Sequence, residues 1–442
     1  MAKAPRVIIA GGGPVGLYAA HALAKANIDY VILEQQSEII RYKGAGIVLI
    51  PNSSRLLDQI RLLKYVEEQA VRLHSKLSSM QNGQPLVRFR LFEPMEENHG
   101  YSSYGFSRSQ LIQILYDNLP GHETRVKTNA RVVDIETNPD GVRVRLADGS
   151  VEEGTIIIGA DGVHSRTREI MDKLARASSK EADGETTSAP KMVAHFKAVF
   201  GRVRYHGGLE KGLFYETHGT GVATQAVPGD EYTYFALLRA LPTPTTTRRT
   251  YTSQELEEEA KSLADIQLFP GVKFGYIWPA CNHEEASMVQ LEEGILDRWY
   301  HGRIALLGDA VHKTTPITGM GVNIGFQSAT VLVNQLHSIM SSGSDFSDEA
   351  LEKAFDSYQK IQAPRCQETV KQDKLMTRLI TWSGWKAWFF DRFVLPWMDL
   401  ENQVKTQTGS ILSNSYVLDW VPFKTKVGLV PWVNSFKGEA AQ

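Results

Sequence analysis

The sequence predicts an α/β fold in which a helix-covered parallel sheet carries an inserted α+β domain and precedes a helical C-terminal region. Three observations lead to this prediction. An apolar strand, a glycine-rich turn and a helix-spaced segment follow one another in residues 6–26. Residues 192–241 are rich in β-branched and aromatic side chains with frequent glycine and proline. From Leu351 onward the pattern of apolar residues is helical.

The N-terminal segment predicts a β–α–β unit. Arg6–Ala10 and Tyr30–Leu33 are short apolar runs typical of buried parallel strands, and Pro14–Ala26 between them has helical spacing. Such a unit favours a parallel sheet with helices packed on it. The same patterns predict helices at Leu56–Gln69 and Ser109–Leu119, a hairpin of Arg131–Glu136 with Val142–Leu146, and strands at Thr155–Gly159 and Arg303–Leu307.

Changes in composition predict the domain boundaries. We expect a discontinuous first domain of residues 1–75, 103–190 and 288–370. A β-rich second domain comprises residues 76–102 and 191–287, and a helical C-terminal region spans 371–442. The polar and charged stretch Asp172–Lys191 predicts a mobile linker between the two domains.

The composition excludes several classes of protein. The chain has 442 residues, of which 42% are hydrophobic and 22% charged, and its net charge of −2 gives no footprint for nucleic acid. Cys281 and Cys366 lie far apart and no Cys/His cluster exists, so we expect no metal site and no redox dithiol. We also expect no signal peptide and no transmembrane helix, and therefore a cytoplasmic protein.

A glycine-rich motif follows the first strand. Gly11, Gly13 and Gly16 occupy the three glycine positions of G-x-G-x-x-G. In that pattern the first glycine permits a tight turn, the second lets the backbone approach a pyrophosphate, and the third lets the helix pack closely on the sheet. Phosphates are favoured at the helix start that follows. Glu34, which ends the next strand, can accept hydrogen bonds from ribose hydroxyls, so we predict a Rossmann-like nucleotide site.

A second motif, Gly308–Asn323, joins a predicted strand to a new helix. The Asp309 carboxylate at the strand end suits a hydrogen bond to a ribityl hydroxyl, and Gly321 allows the backbone to lie against a ring. Val322 and Asn323 offer N–H groups at a helix start, where they stabilise negative charge on a reduced flavin. Two such motifs far apart in the chain indicate one extended cofactor held at both ends.

Three further residues suit the same cofactor. Val48 follows a loop of small residues next to Arg41 that can pass under a flat ring. Arg108, just before a predicted helix, can reach a pyrophosphate, with a surface charge at a helix start as the alternative. Asp161 follows an apolar strand and can hydrogen-bond backbone near the pyrophosphate, with a plain Asp-Gly turn as the alternative.

Together these motifs resemble the single-component, class A FAD-dependent monooxygenases of the aromatic-hydroxylase family. The resemblance rests on G-G-G-P-V-G with Glu34, on Arg108 before its helix, on I-G-A-D-G-V-H-S-R, and on L-L-G-D-A-V-H-K-T-T-P-I-T-G-M-G-V-N. It covers roughly residues 5–370. The K-x-T-P loop and Pro51–Ile60 are similar to fungal monooxygenases of meroterpenoid and indole-diterpene pathways. Met320 stands where the family commonly has Gln, and Gln327-Ser328 where it commonly has Glu-Asp.

The resemblance implies an activity. The first domain would bind FAD, Asp161 would bridge FAD and a transient NAD(P)H, and O2 would form a C4a-hydroperoxyflavin that transfers one oxygen atom. The substrate domain would hold a lipophilic phenol, meroterpenoid or prenylated arene. Hydroxylation, epoxidation and Baeyer–Villiger oxidation stay open, as does the choice between NADH and NADPH. The implied FAD contacts are Gly11, Gly13, Gly16, Glu34, Val48, Arg108, Asp309 and Val322.

The catalytic group is predicted from position alone. Family members often place a tyrosine on a strand facing the flavin, and Tyr215 is the best positional candidate, with a core tyrosine as the alternative. His195 and Arg202, on a neighbouring predicted strand, are lesser candidates.

Two other functions compete with monooxygenation. One is a desaturating flavin oxidoreductase, and the other is a non-catalytic flavin-binding protein associated with a membrane. The aromatic stretch Met376–Met398 has two interpretations. We favour helices that close the substrate tunnel over a peripheral contact with an intracellular membrane.

Overall fold

The N-terminal strand, turn and helix form where the sequence predicts them. The computed structural model describes residues 4–42, 46–178, 192–204 and 208–436. The first strand, Arg6–Ala10, buries Val7, Ile8 and Ile9 completely. An unbroken apolar run is needed because helices cover both faces of such a strand. Pro14 begins the first helix, where the missing N–H of proline needs no partner.

Twenty-two strands lie in the described residues. In chain order they are β1 (Arg6–Ala10), β2 (Asp29–Leu33), β3 (Gly46–Leu49), β4 (Val71–Leu73), β5 (Ser75–Met80), β6 (Pro85–Phe89), β7 (Ser103–Ser107), β8 (Val126–Lys127), β9 (Val132–Asn138), β10 (Gly141–Leu146), β11 (Val151–Gly154), β12 (Ile156–Gly159), β13 (Val193–Arg204), β14 (Leu213–Gly219), β15 (Val222–Pro228), β16 (Tyr232–Thr245), β17 (Gln267–Phe269), β18 (Val272–Lys273), β19 (Ser287–Ile295), β20 (Tyr300–His301), β21 (Ile304–Leu306) and β22 (His312–Lys313).

Fourteen α-helices accompany them in the same described ranges. They are α1 (Pro14–Lys25), α2 (Pro51–Gln59), α3 (Leu63–Gln69), α4 (Glu93–His99), α5 (Arg108–Asp117), α6 (His122–Arg125), α7 (Arg166–Ser178), α8 (Ser253–Ser262), α9 (Phe274–Ile277), α10 (Met320–Ser341), α11 (Asp348–Ile380), α12 (Trp385–Phe393), α13 (Leu400–Gln403) and α14 (Gly409–Ser413). None of them combines the length and hydrophobicity that crossing a bilayer requires.

A six-stranded sheet positions the glycine-rich turn. Its order is β20-β21-β12-β1-β2-β8, and every neighbouring pair is parallel except β20 with β21. Ala10 at the end of β1 pairs with Gly159 at the end of β12. The turn after β1 therefore lies beside the Asp161 turn after β12, at the carboxyl edge where ligands of open parallel sheets bind.

An eight-stranded sheet covers that edge. Its order is β22-β19-β13-β16-β15-β14-β5-β6, and it joins strands that are far apart in the chain. The pair β14–β5 is parallel, whereas the other pairs are antiparallel. Side chains alternate between its faces. One face packs on α8 and α9, and the other contacts Ile317 and Ile380 of the segments that follow the parallel sheet.

Three local predictions are wrong. The helix predicted over Leu56–Gln69 is divided into α2 and α3, because Arg61 has a φ of +66°, which an α-helix does not allow. Asp172–Ser178 continues α7 instead of forming a linker, because Ile170 and Met171 bury one face of that helix. Residues 179–191 of the predicted linker lie outside the described ranges. The third prediction, a helical C-terminal region over residues 371–442, is wrong only beyond α14. Residues 414–436 contain no helix and pack as an extended segment against α2 and α10.

Acid is expected to destabilise this fold through buried histidines. Burial lowers the pKa of His312 to about 4, and the charge of Asp309 offsets only part of that effect. A histidine with a lowered folded pKa stabilises the protein above pH 6.5, and this contribution is lost as the pH falls toward 4. We expect His312→Gln, which can still hydrogen-bond Ser328, to flatten the pH dependence of the unfolding free energy in this window. Urea unfolding at several pH values measures this dependence, with the partly exposed His122→Gln as a control. A His312→Gln slope equal to those of wild type and of the control contradicts the expectation.

Candidate active site

A cavity of about 940 Å³ lies between the two large sheets. Gly13 and Arg108 line one end, at the carboxyl edge of the parallel sheet. Phe200 and Gln225 of the eight-stranded sheet also line the cavity, as does Tyr234, whose hydroxyl donates to Gln110 of α5 at 3.2 Å. The volume is near the upper end of the range for ligand pockets, and the lining is mostly apolar, so the cavity suits a large ligand with few polar groups.

The predicted cofactor-binding residues divide into a lining set and a supporting set. The lining set contains Gly13, Val48, Arg108, Asp309, Gly321 and Val322. The supporting set, which does not reach the cavity, contains Gly11, Gly16, Glu34, Asp161 and Asn323.

Glycine is required at two positions of the turn. Gly11 has a φ of +106°, and a Cβ there would lie 2.5 Å from the carbonyl oxygen of Ala160. A Cβ on Gly16 would lie 2.1 Å from the carbonyl oxygen of Gly11. Both contacts are too short for any side chain, so these glycines let β1, β12 and α1 meet. This close approach leaves the start of α1 open toward the cavity.

Two carboxylates hold the turns behind the lining. Glu34 accepts hydrogen bonds from the Gly12 N–H at 2.8 Å and from the Gln36 N–H at 2.9 Å. Asp161 accepts hydrogen bonds from the Ser165 hydroxyl at 2.5 Å and from both the N–H and the hydroxyl of Thr167 at 3.0 Å. The Asp161 carboxylate thus fixes the start of α7 and binds a backbone N–H, whereas the bridging of FAD and NAD(P)H that the resemblance implies stays a prediction.

Arg108 is the cation of the cavity wall that lies beside the start of α1. Its guanidinium Nη2 would lie 3.5 Å from a Cβ built on Gly13, beside the start of α1. No hydrogen bond or ion pair to another described residue engages this guanidinium. Burial lowers the pKa of Arg108, the charge of Arg41 adds to this, and Asp309 and Glu34 offset part of it. A partly buried cation next to a helix start fits a pyrophosphate, which supplies the missing negative charge.

A carboxylate on α11 holds the loop after β22. Asp373 is fully buried and accepts hydrogen bonds from the Thr315 N–H at 2.7 Å, the Thr315 hydroxyl at 2.9 Å and the Thr318 hydroxyl at 2.6 Å. Thr315 and Thr318 both line the cavity. Sequence reasoning missed Asp373, because it lies in the middle of a long helix 58 residues beyond Thr315 and no motif marks it.

Asn323 ties the start of α10 to β3. Its amide nitrogen donates to the carbonyl oxygens of Val48 and Gly319, each at 2.8 Å, and its amide oxygen accepts from the Ile50 N–H at 3.1 Å. The fully buried side chain therefore serves the scaffold, and Val48 is held at the cavity wall. Met320, which stands where the family commonly has Gln, also lines the cavity.

The other departures from the family pattern have structural partners. The Gln327 side chain accepts from the Tyr416 N–H at 2.7 Å and donates to the Tyr416 carbonyl at 3.3 Å. Ser328 lies 2.9 Å from His312 Nε2 and accepts from Gln362 at 3.2 Å. These neutral side chains bind the C-terminal segment and a buried histidine, where a pair of acidic residues would place uncompensated charge.

The three predicted catalytic side chains lie away from the cavity. Tyr215, the best positional candidate, packs behind the eight-stranded sheet. Phe214 lines the cavity, so its neighbour Tyr215 points to the opposite face of the sheet. There its ring packs edge-on against Phe269, with 5.5 Å between centroids, and its hydroxyl accepts from the Glu210 N–H at 3.0 Å. The prediction that Tyr215 faces the flavin is corrected accordingly.

Arg202 and His195 are held by carboxylates outside the lining. Arg202 donates two hydrogen bonds to Glu285, at 2.5 and 2.9 Å, and its guanidinium lies 4.1 Å from the centre of the Tyr232 ring. His195 Nε2 lies 3.6 Å from Glu293, and burial lowers the pKa of His195. Neither side chain reaches the cavity, so neither serves as its acid or base.

The aromatic stretch Met376–Met398 closes the cavity only at its first residue. Met376 lines the cavity, but α12 does not, and the wall is completed by Leu400, Val404 and Leu412 further along the chain. Most of the large aromatic side chains of the stretch face outward instead, whereas Trp382 is buried. The exposed ones include Trp385, Phe389, Phe390, Phe393 and Trp397.

Asp309→Ala is expected to yield colourless, FAD-poor protein. Asp309 lines the cavity and forms an ion pair with Lys313, so the loss of FAD must be separated from the loss of that pair. Lys313→Ala removes the pair and keeps the carboxylate. We expect FAD content to fall at least tenfold in the first variant, the size of one hydrogen bond to a charged group, and to stay near wild type in the second. Yellow Asp309→Ala protein with unchanged FAD affinity would exclude the carboxylate from the site.

The geometry of the cavity defines a class of protein. A helix start and a partly buried arginine in the cavity wall favour phosphates, while a glycine-containing loop at Gly319–Gly321 leaves room for a flat ring. An apolar sheet face lies beyond that ring position. A nucleotide held in this way beside an apolar pocket is the arrangement of a flavoprotein oxidoreductase.

Comparison with known proteins identifies the family. The pattern of the FAD binding domain family matches residues 5–373, and the chain belongs to this family of FAD-dependent monooxygenases. The FAD-dependent monooxygenase srdH of Neurospora crassa is 41% identical over 441 residues, which cover 97% of this chain and 98% of srdH. The FAD-dependent monooxygenase prhF of Penicillium brasilianum is 32% identical over 96% of this chain and 88% of its own length.

A solved structure has the same fold. HpxO from Klebsiella pneumoniae, crystallised with FAD and uric acid, superimposes with a TM-score of 0.76 over 93% of this chain and 98% of HpxO. The two sequences are 21% identical, so the likeness concerns the fold alone. The predicted α/β architecture and the predicted family are both confirmed.

Proposed function

We propose that this monooxygenase uses NAD(P)H and O2 to hydroxylate or epoxidise a lipophilic natural-product molecule, such as a phenol, meroterpenoid or prenylated arene. The supporting observation is that one cavity is lined both by Gly13 and Arg108 and by Phe214 and Gln225 of the eight-stranded sheet. Such a space holds a cofactor and a large apolar molecule side by side. FAD, when bound, would carry the reducing equivalents taken from NAD(P)H and supply the activation of oxygen.

The residues of this chain would bind, orient and exclude water. Arg108 and the start of α1 would hold the pyrophosphate, and Asp309 the ribityl chain. The N–H groups of Gly321 and Val322 at the start of α10 favour negative charge on the adjoining ring. Met320, Leu400 and Val404 close the cavity with apolar groups, which keeps water from the reacting atoms.

The test is the mass of the product. Purified holoenzyme is incubated with NADPH or NADH, O2 and a panel of prenylated phenols and arenes, and the products are analysed by mass spectrometry with ¹⁸O2. A gain of one labelled oxygen atom is expected. A product that has lost two hydrogens without gaining oxygen would support the desaturase, and flavin-bound protein without substrate-dependent NAD(P)H oxidation would support the non-catalytic alternative.

We also propose that α12 makes a peripheral contact with a membrane surface. Trp385 and Trp397 are 73% and 88% exposed, Phe389 and Phe393 are each 49% exposed, and Arg392 lies among them. Exposed aromatic side chains next to a cation suit the interface of an anionic bilayer. Full-length protein should float with phosphatidylserine-containing liposomes, and Trp385→Ser with Phe389→Ser should not. Absence of flotation by wild type removes this proposal and leaves the enzymatic one intact.

A further inference from the structure

A chain of buried charged side chains runs from the cavity wall to α12. Lys76 on β5 forms an ion pair with Glu216 on β14, Glu216 lies 2.8 Å from His218 Nε2, and His218 Nδ1 lies 2.8 Å from Asp391 on α12. Positive and negative groups alternate along the chain. The parallel pairing of β5 with β14 fixes its first step, because it sets Lys76 opposite Phe214, two residues from Glu216.

The two inner groups are held in their charged forms by this geometry. Burial disfavours the Glu216 carboxylate, but the charge of Lys76 and the hydrogen bond from His218 outweigh it and lower the pKa of Glu216 to about 2. Both ring nitrogens of His218 face carboxylate oxygens, so both donate. These bonds to Asp391 and Glu216 outweigh the effect of burial and raise the pKa of His218. Because each charge in the chain faces an opposite one, no lone charge is buried, although Asp391 binds through Oδ2 alone.

Only one end of this chain meets the cavity. Lys76 lines the cavity, with 14% of its side chain exposed, whereas Glu216, His218 and Asp391 are almost completely buried and do not line it. Gln225, which also lines the cavity, donates to Glu216 at 2.9 Å and to the carbonyl oxygen of Ile317 at 2.7 Å. Through Gln225 the chain is tied to the loop between Thr315 and Thr318 that Asp373 supports.

The Lys76 ammonium has donors to spare. It carries three N–H groups, and among the described residues only Glu216 pairs with it. The cavity wall around it is apolar, formed by Phe89, Leu91, Phe92 and Phe214. In such surroundings a ligand oxygen is the natural acceptor for the remaining N–H groups, because a hydrogen bond to a charged donor is stronger where water is excluded.

We infer that Lys76 binds an oxygen acceptor of the substrate (a phenol, carbonyl or carboxylate oxygen), and that Glu216, His218 and Asp391 are positioning residues that hold its ammonium at the cavity wall. The inference rests on the proposed function, whose lipophilic substrate it restricts to molecules with an oxygen at one end. Lys76 and Gln225 then orient that end, while the apolar remainder of the substrate occupies the rest of the cavity.

Equilibrium binding tests the inference without turnover. Oxidised holoenzyme is titrated anaerobically with 4-geranylphenol and with geranylbenzene, and the flavin absorbance reports occupancy of the cavity. Wild type should bind the phenol more tightly. Lys76→Met should weaken phenol binding on the order of tenfold to a hundredfold, the effect of one hydrogen bond to a charged group, and leave geranylbenzene binding unchanged. Lys76→Arg should restore part of the preference.

Positioning by the buried chain has a separate readout. Asp391→Asn keeps the shape of the side chain and should raise the Kd for 4-geranylphenol alone, by less than Lys76→Met does. Lys360→Met, an exposed lysine of α11, is the matched control and should change neither Kd. Melting temperatures identify variants that merely unfold, and a general loss of stability would weaken both ligands equally.

The outcomes separate the two proposals. Wild type that binds both probes equally, or neither, overturns the assignment of Lys76, as does a Lys76→Met variant that keeps the preference for the phenol. Phenol-selective binding that depends on Lys76, without oxygen transfer to any phenol, leaves this inference standing and counts against the proposed monooxygenation.

Discussion

Arg108→Met is expected to lower the affinity for FAD on the order of a hundredfold while leaving the apoprotein at least as stable as wild type. The guanidinium faces the start of α1, and burial already disfavours its charge. Without FAD the cation costs desolvation that no ion pair to a described residue offsets. When FAD binds, the guanidinium forms a charge-assisted hydrogen bond with the pyrophosphate. The variant loses this contact, which contributes about 1.5–3 kcal/mol to FAD binding.

Two measurements on one variant check this expectation. FAD affinity follows from the quenching of flavin fluorescence, and stability from urea unfolding of FAD-free protein. Arg108→Lys keeps the charge but not the forked geometry and should lie between wild type and Arg108→Met. Arg143→Met, which removes a half-exposed arginine of β10, is the control and should bind FAD normally. A destabilised Arg108→Met apoprotein would mean that the guanidinium has a structural partner and would contradict the assignment to phosphate binding.

Asp373→Ala is expected to destabilise both the apoprotein and the holoprotein, by about 3 kcal/mol. The change removes an acceptor of three hydrogen bonds and leaves the buried Thr315 N–H without a partner, and each unsatisfied buried donor costs about 1–3 kcal/mol. The loop from Thr315 to Thr318 lines the cavity, so its relaxation should also weaken FAD binding about tenfold. Urea unfolding with and without FAD measures both effects.

The matched variants distinguish the carboxylate from its shape. Burial raises the pKa of Asp373, and the hydrogen bonds from Thr318 and Thr315 offset part of that effect. A neutral group of the same size is therefore tolerated, and Asp373→Asn should lose far less stability than Asp373→Ala, with the Thr318 hydroxyl turning to accept from the new amide. Thr318→Val removes one of the three bonds and should have an intermediate effect. Equal losses in the alanine and asparagine variants would show that packing, rather than hydrogen bonding, holds the loop.

The sequence indicates a role for Arg108 but not for Asp373. Arg108 was predicted from a local pattern, because it stands next to the start of a predicted helix, and it is the first residue of α5 in the structure. Asp373 was not, because its importance depends on a loop that begins 58 residues earlier. The same contrast applies to Lys76, which stands in an unremarkable polar strand and meets Glu216 only through the pairing of β5 with β14.

The alternation of side chains on a strand explains the errors in the predicted catalytic group. A strand can be recognised from its composition, but the face that it turns to a cavity depends on the sheet it joins. Phe214 and Gln225 face the cavity, and Tyr215 packs on Phe269 behind the sheet. A pattern of aromatic residues predicted the strand correctly and left its orientation undetermined.

Local sequence was sufficient for the elements whose geometry depends on near neighbours. The turn at Gly11–Gly16, the helix that begins at Pro14 and the family itself could all be read from short motifs, because steric contacts within a few residues dictate them. Long-range packing decides three other features. They are the direction of the Tyr215 side chain, the support of the loop from Thr315 to Thr318 by Asp373, and the chain of charged groups from Lys76 to Asp391. Residues far apart in the chain acquire these partners only when the two sheets and α11 close around the cavity.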